Sequence, residues 1–121
     1  MTESQLQIAA MKWLRQQRGP NGLWLAFHVP NEGARGAREG ATLQRKGVLA
    51  GVSDILIAEP YDNLCGVAIE LKRPGQAPTT AQRLFLQAMQ DRAWHVGIAE
   101  SMDDVKALCT GLLNYCARNA R

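Results

Sequence analysis

Three charged residues near the middle of the sequence could do chemistry together. Asp54 directly precedes the apolar run 55–57, and Glu70 and Lys72 are separated by Leu71. Side chains alternate across a β-strand, so Glu70 and Lys72 share one face while Leu71 points to the other. We expect the two charged groups to emerge side by side from a strand whose opposite face is apolar and faces a core.

Asp54 and Glu70 are predicted to be cross-strand neighbours. They are 16 residues apart, and the midpoint, Asp62, lies inside a predicted turn. Antiparallel pairing about that turn would place the two Cβ atoms about 5 Å apart. Two carboxylates this close repel each other unless a positive group lies between them, and a hard divalent cation suits that gap. Mg²⁺ there would neutralise charge on a phosphate, and Lys72 could orient or deprotonate an attacking water or stabilise the phosphorane-like state.

A simpler interpretation of Glu70 and Lys72 is an ordinary surface ion pair, because Glu-x-Lys is common in strands. Asp54 is symmetric with Glu70 about the turn and opens an apolar strand, which favours metal-assisted phosphodiester hydrolysis. The spacing alone leaves both interpretations open.

Apolar periodicity and capping residues predict the element order αβββαβα around these residues. The predicted strands span 23–29, 53–58, 65–72 and 94–99. The first helix begins at a capping box formed by Thr2 and Gln5 and extends to about Gln17, and the second begins at Thr79 and Gln82. Ser101 opens a last helix. The apolar stripe of the second helix is Ala81, Leu84, Phe85, Ala88 and Met89, and that of the last is Val105, Leu108, Cys109, Leu112, Leu113 and Cys116.

The segment 31–47 is predicted to be a glycine-rich loop with a local excess of positive charge. Four cations, Arg35, Arg38, Arg45 and Lys46, stand against two acids, giving a sum of 4 − 2 = +2. These cations could neutralise DNA phosphates while the glycines let the loop adapt. The alternative is a solvated loop without a ligand.

Length and composition bound the class of protein. The 121 residues suit one domain spanning 1–121, and 46% hydrophobic content argues against disorder. The net charge of +3 is compatible with an anionic partner without proving one. No apolar run is long enough to span a membrane and no signal peptide is evident, so we expect a soluble, cytoplasmic protein. The three cysteines lack CxxC spacing and there are two histidines, which excludes a disulfide framework and a histidine-rich metal site.

The residues around Asp54 and Glu70, which we call the acidic pair, also match a known family. The run Gly-Val-Ser-Asp-Ile-Leu at 51–56, then Ile-Glu-Leu-Lys at 69–72, then Gln82, resembles the PD-(D/E)xK nuclease superfamily. More narrowly, the chain from Glu3 to about Ala99 is similar to a stand-alone VRR-NUC (virus-type replication–repair nuclease) domain. The resemblance implies an α/β fold with a restriction-endonuclease-like αβββαβ core, whose mixed central sheet is flanked by helices. Ser53 departs from the Pro of the superfamily's name, a position at which Pro is often replaced.

The resemblance also implies roles for individual residues. Asp54, Glu70 and the backbone carbonyl of Leu71 would bind Mg²⁺ or Mn²⁺, joined by Glu3, and Lys72 would be the catalytic lysine. It adds Gln82 and His28 to the site. Taken by themselves, three of these residues have simpler interpretations: Glu3 as a first-turn carboxylate favoured by the helix dipole, Gln82 as the capping partner of Thr79, and His28 as an ordinary strand histidine.

The expected function is therefore a metal-dependent DNA endonuclease acting on structured DNA. Stand-alone members of the family resemble homodimeric Holliday junction resolvases, and a two-fold dimer suits the paired nicks that a four-way junction needs. A bacterial or phage-infected cell is the expected setting, with a role in DNA repair. Three alternatives stay open: a monomeric flap or fork nuclease, a non-catalytic nucleic-acid-binding module, and a purely structural subunit.

Overall fold

The structure, a computed structural model, describes residues 1–30 and 37–120 as helices packed on a mixed sheet. The helices are α1 (Glu3–Leu14), α2 (Ala37–Arg45), α3 (Thr80–Gln90), α4 (Met102–Leu108) and α5 (Thr110–Arg118). The strands are β1 (Arg18–Gly19), β2 (Gly22–Leu23), β3 (Ala26–His28), β4 (Ile55–Ile57), β5 (Gly66–Leu71) and β6 (Trp94–Ala99). The predicted α/β class is confirmed.

The main sheet of the described residues has the strand order β3-β4-β5-β6. β4 pairs antiparallel with both β3 and β5, whereas β5 and β6 are parallel and are joined through α3. A parallel pair needs such a crossover, and antiparallel neighbours do not. β1 and β2 form a separate small hairpin, so the predicted strand 23–29 is divided between that hairpin and β3.

The register between β4 and β5 is the predicted one. Ile55 faces Ile69 and Ile57 faces Val67. Continuing this register by one residue brings Asp54 opposite Glu70. The connection is a tight turn in which Tyr61 and Leu64 exchange backbone hydrogen bonds of 3.1 and 2.8 Å.

The sheet is covered on both faces. The core on one face combines α1 with α4 and α5, and its buried residues include Leu6, Ala10, Leu14, Ile55, Ile57, Val67, Ile69, Leu71, Val105, Cys109 and Leu112. α3 packs on β5 and β6 and directs Gln82 to Glu70, on the other face. With both faces covered, every residue of β5 is buried.

The predicted helix starts are confirmed by their caps. Thr2 with Gln5 and Thr79 with Gln82 form reciprocal capping boxes, and the hydroxyl of Ser101 accepts a hydrogen bond from the Asp104 backbone N–H. α1 ends at Leu14 instead of Gln17. No helix in the described ranges is both long and apolar enough to cross a membrane.

The prediction of a loop over 31–47 is wrong for its second half, which is α2. The prediction gave the glycines too much weight, since Ala, Arg, Glu, Leu and Gln supply most of α2 and favour helix. Its end is a Schellman motif, in which the N–H groups of Gly47 and Val48 donate to the carbonyls of Gln44 and Leu43. Gly47 has φ +102°, as that motif requires.

Two further expectations about the helices are corrected. The predicted last helix is broken at Cys109, whose φ of −94° and ψ of 0° leave the helical region. The apolar stripe continues through the break because Val105 and Leu112 pack in the same core. In α3, Leu84 is 67% exposed although it belongs to the predicted stripe, and Leu86 is buried instead. The thiols of Cys65, Cys109 and Cys116 are all free.

Candidate active site

One cleft of about 230 Å³ brings together the residues predicted for the metal and for catalysis. It is lined by Glu3, Ser4, Gln7, His28, Asp54, Glu70, Leu71, Lys72 and Gln82. They come from α1, β3, the residue preceding β4, the end of β5 and the first turn of α3. Five separate parts of the chain therefore converge on this cleft.

Glu70 and Lys72 both have buried side chains. The two residues are 2% and 7% exposed. Alternation along β5 places them on one face as predicted, but helices cover that face as well. The pair is therefore not an ordinary surface ion pair.

The two oxygens of Glu70 differ in their surroundings. Oε1 accepts a hydrogen bond from Gln82 Nε2 at 3.2 Å and lies 3.8 Å from Lys72 Nζ. Oε2 is buried and has no hydrogen-bond partner within the described part of the chain. Buried polar atoms are nearly always paired in proteins, so an unpaired carboxylate oxygen in a cleft marks a place for a ligand.

Asp54 is held at both its side chain and its backbone. Its Oδ2 accepts a hydrogen bond of 2.8 Å from the Leu71 N–H. Its carbonyl oxygen lies 2.7 Å from His28 Nδ1 and 3.3 Å from the Val29 nitrogen. A carbonyl oxygen only accepts, so Nδ1 of His28 carries the proton and donates it. His28 thereby fixes the backbone position of Asp54.

The proximity of the acidic groups changes the ionisation of Glu70. Burial, followed by the neighbouring carboxylate of Asp54, raises the pKa of Glu70 from 4.5 to about 8. Lys72 lowers this pKa, and Glu3 raises it further. Either a proton or a bound cation can relieve the repulsion between the two carboxylates.

Glu3 reaches the cleft from the first turn of α1, and its Oε1 is buried without a partner among residues 1–30 and 37–120. Sequence reasoning missed two neighbours of Glu3 that also line the cleft, Ser4 and Gln7. Gln7 could have been found, because a residue four positions after Glu3 lies on the same face of a helix.

The donors in the cleft suit a hard cation. Carboxylate oxygens are the preferred ligands of Mg²⁺, which usually takes one or two of them and keeps several waters. Within the described residues no group of three His, Cys, Asp or Glu side chains could hold a metal by itself. The carboxylates of Asp54 and Glu70, the latter with an Oε2 that has no partner in the described residues, nevertheless fit a site completed by other oxygens.

A close backbone contact sets the position of Asp54 relative to α3. Gly51 has φ +84°, and a Cβ added there would lie 2.4 Å from the carbonyl carbon and oxygen of Ala81. Glycine is thus required both for its conformation and for its lack of a side chain. This contact holds the segment before Asp54 against the turn that carries Gln82.

Arg45 and Lys46, the two predicted DNA-binding cations whose side chains the structure describes, are not among the residues that line the cleft. Arg45 ends α2 and Lys46 follows it, and both are exposed. Arg35 lies outside the described residues, and for Arg38 only the backbone, within α2, is described.

The fold and the cleft together define a mixed α/β protein in which a half-buried Asp54 lies beside Glu70 and Lys72, both buried, at the end of β5. The fold is that of a VRR-NUC domain: a solved structure described as a "VRR_NUC domain protein" is similar with a TM-score of 0.78 and 23% sequence identity. The similarity covers 97% of this chain and 89% of that chain. No protein-family model and no curated protein matches the chain. The expected restriction-endonuclease-like αβββαβ core is thereby confirmed, while activity depends on the side chains of the cleft.

Proposed function

We propose that this protein is a metal-dependent nuclease that hydrolyses phosphodiester bonds in DNA. The observation that carries the proposal is the state of Glu70. One of its oxygens is held by Gln82 and Lys72, and the other is buried, unpaired and next to Asp54. An isolated structural carboxylate would not be arranged in this way, because leaving it unpaired costs stability.

Asp54, Glu70 and the carbonyl of Leu71 would hold the cation, which we take to be Mg²⁺ or Mn²⁺, and Glu3 would support it. When bound, the cation supplies positive charge against the phosphate oxygens during hydrolysis.

Other residues of the cleft orient the attacking water, stabilise the developing charge and position the two carboxylates. Lys72 Nζ, held near the cleft by its contact with Glu70 Oε1, orients the attacking water and stabilises the charge that develops on the phosphate. Gln82 fixes the rotamer of Glu70, and His28 fixes the backbone of Asp54, so both act as positioning residues. The low exposure of Glu70 and Lys72 limits the water around the reacting groups and strengthens their electrostatic effect.

DNA is the substrate class that the basic residues favour. In the proposal Arg35, Arg38, Arg45 and Lys46 contact backbone phosphates, and such contacts supply affinity without base specificity. The finer proposal is a homodimeric Holliday junction resolvase, acting in DNA repair in the cytoplasm of a bacterial or phage-infected cell. A two-fold dimer would present two matched active sites to a four-way junction.

The test is a cleavage assay with Mg²⁺ on four-way junction, flap and blunt duplex DNA, using wild type and Asp54→Asn. We expect wild type to cut branched DNA and Asp54→Asn to lose at least about 100-fold in rate. Asn keeps the shape of Asp54 and removes its charge, so circular dichroism should be unchanged. Equal cleavage by both proteins, or none by either on any substrate, would contradict the assignment. Sedimentation at the assay concentration separates the dimeric resolvase from a monomeric flap nuclease.

A further inference from the structure

A second cleft meets the active-site cleft at Gln7. It has a volume of about 300 Å³ and is lined by Gln7, Ile8, Met11, Lys12 and Arg15. Gln7 also lines the active-site cleft, so the two depressions adjoin along α1. This second cleft has no part in positioning the acidic pair.

The outward face of α1 carries a consistent pattern of residues. Ser4, Ile8, Lys12 and Arg15 are exposed and follow one another at spacings of four, four and three, which places them in a single stripe. The inward face carries Leu6, Ala10 and Leu14, which are buried in the core. From Ser4 to Arg15 the stripe is about 17 Å long at 1.5 Å per residue.

The charge of this stripe has one sign. Between Ser4 and Arg15 the sequence contains Lys12 and Arg15 but no Asp or Glu. An anionic chain leaving the active site along α1 would therefore meet two cations of this helix and none of its carboxylates beyond Glu3. Phosphates of a DNA strand have that charge and that linear arrangement.

The apolar members of the second cleft indicate which form of DNA suits it. Ile8 is 70% exposed and lies in the stripe between Ser4, at the active site, and Lys12. A regular duplex would present mainly phosphates and sugars to such a side chain. An unpaired strand also exposes the apolar faces of its bases, against which an aliphatic side chain can be buried from water.

We propose that the stripe on α1 binds the strand of the substrate next to the scissile phosphate where that strand is unpaired. Lys12 and Arg15 contact its phosphates, and Ile8 and Met11 contact its unstacked bases. This inference rests on the proposed function, because it takes DNA as the ligand. It adds the surface that selects structured DNA over plain duplex.

Binding is measured without turnover, by fluorescence anisotropy in EDTA, on a duplex with a single-stranded tail and on a blunt duplex of equal length. Lys12→Ala/Arg15→Ala should weaken binding to the tailed DNA roughly tenfold and reduce the slope of log K against log salt by about 1.4, with a smaller effect on the blunt duplex. Ile8→Ala should lower affinity for the tailed DNA roughly fivefold through lost apolar contact area, with little effect on the blunt duplex or on the salt slope. Alanine favours helix, so α1 should be retained in both variants.

The matched control is Arg92→Ala/Arg118→Ala, which also removes two positive charges. Arg118 contacts Asp62 in the turn before β5, and Arg92 precedes the start of β6, so both lie at the end of the sheet opposite to Glu70. An equal loss of affinity in the control, or an unchanged salt slope in Lys12→Ala/Arg15→Ala, would overturn the inference. So would self-association of wild type that Ile8→Ala abolishes, because the stripe would then be an interface between copies.

The assay also separates this inference from the proposed function. Cleavage by wild type in Mg²⁺ with normal binding by the α1 variants would overturn the inference alone. Loss of binding as expected, with no cleavage by wild type on any substrate, would overturn the proposed function and leave the inference supported.

Discussion

The side chain of Gln82 is shared between Thr79 and Glu70. Its Oε1 accepts a hydrogen bond of 2.8 Å from the Thr79 N–H, and its Nε2 donates one of 3.2 Å to Glu70 Oε1. The same amide thus closes the capping box of α3 and holds the carboxylate of the candidate site. The capping interpretation of Gln82 is confirmed, and the same side chain also contacts Glu70 in the cleft.

This double use allows the two roles of Gln82 to be separated. Thr79→Ala removes the cap but leaves the amide, so we expect a loss of about 1 kcal/mol in the free energy of unfolding and little change in cleavage rate. Gln82→Glu keeps a residue suited to the capping box but replaces the donor to Glu70 with a carboxylate. We therefore expect near-normal stability at about pH 6, where Glu70 is protonated, and a cleavage rate at least roughly tenfold lower. Urea unfolding and single-turnover cleavage measure the two effects. A parallel loss of rate and stability in both variants would show that Gln82 is only structural.

The raised pKa of Glu70 predicts how stability depends on pH in the absence of metal. In the unfolded chain this carboxyl ionises near 4.5, and in the folded protein near 8. Between these values the folded state binds more protons than the unfolded state, so the free energy of unfolding falls as pH rises from about 5 to about 8. Excess Mg²⁺ should oppose this fall, and its stabilising effect should grow with pH over the same window.

The measurement is urea unfolding at a series of pH values, in EDTA and in Mg²⁺. Glu70→Gln is the control, because it keeps the shape of the side chain and cannot titrate. The difference in slope between wild type and Glu70→Gln isolates this carboxyl from the histidines and other groups. Identical pH profiles for the two proteins in EDTA would contradict the prediction.

Lys72 is expected to matter through its charge. Lys72→Met preserves the length and apolar stem of the side chain but leaves the acidic pair without its cation, which should raise the pKa of Glu70 further. We expect the cleavage rate to fall by at least about 100-fold and the stabilisation by Mg²⁺ to move to higher pH. Lys72→Arg, which keeps the charge, should retain the pH dependence of Mg²⁺ binding. Cleavage by Lys72→Met at the wild-type rate would contradict the role of this residue.

Gly51 should be far less tolerant of a side chain than a glycine of similar conformation elsewhere. Gly22 has φ +102° with nothing within 4 Å of an added Cβ, so Gly22→Ala should cost only backbone strain, about 1 kcal/mol. Gly51→Ala adds a collision with the backbone of Ala81, so we expect a loss of roughly 3 kcal/mol or more in the free energy of unfolding. Thermal or urea unfolding of the two variants tests this. Similar losses would mean that the segment before Asp54 is not held tightly against α3.

The features predicted well from sequence are those whose causes are local. Each capping box depends on residues within a four-residue segment. The register of β4 and β5 follows from the symmetry of Asp54 and Glu70 about Asp62. Alternation along a strand then fixes which side chains share a face. These short-range rules are enough to bring Asp54, Glu70 and Lys72 together.

The features missed depend on packing between distant segments. Nothing within β5 indicates that α3 buries the charged face of Glu70 and Lys72. The break at Cys109 is hidden because helices on both sides of it pack in one core, so the apolar period continues. Ser4 and Gln7 enter the cleft only because the start of α1 lies against the end of β5, a contact across the whole first half of the chain.

The shared register of β4 and β5 has a consequence for insertions and deletions. Extra residues inserted in the turn around Asp62 lengthen a surface loop and leave every residue pair between β4 and β5 in place. A single residue removed between Gly66 and Glu70 would reverse which side chains face each side of the sheet, since the period of a strand is two. The carboxylate would then point into the apolar core and an aliphatic group would enter the cleft. Within the segment from β4 to β5, natural variation in length should therefore be confined to the turn and absent from β5.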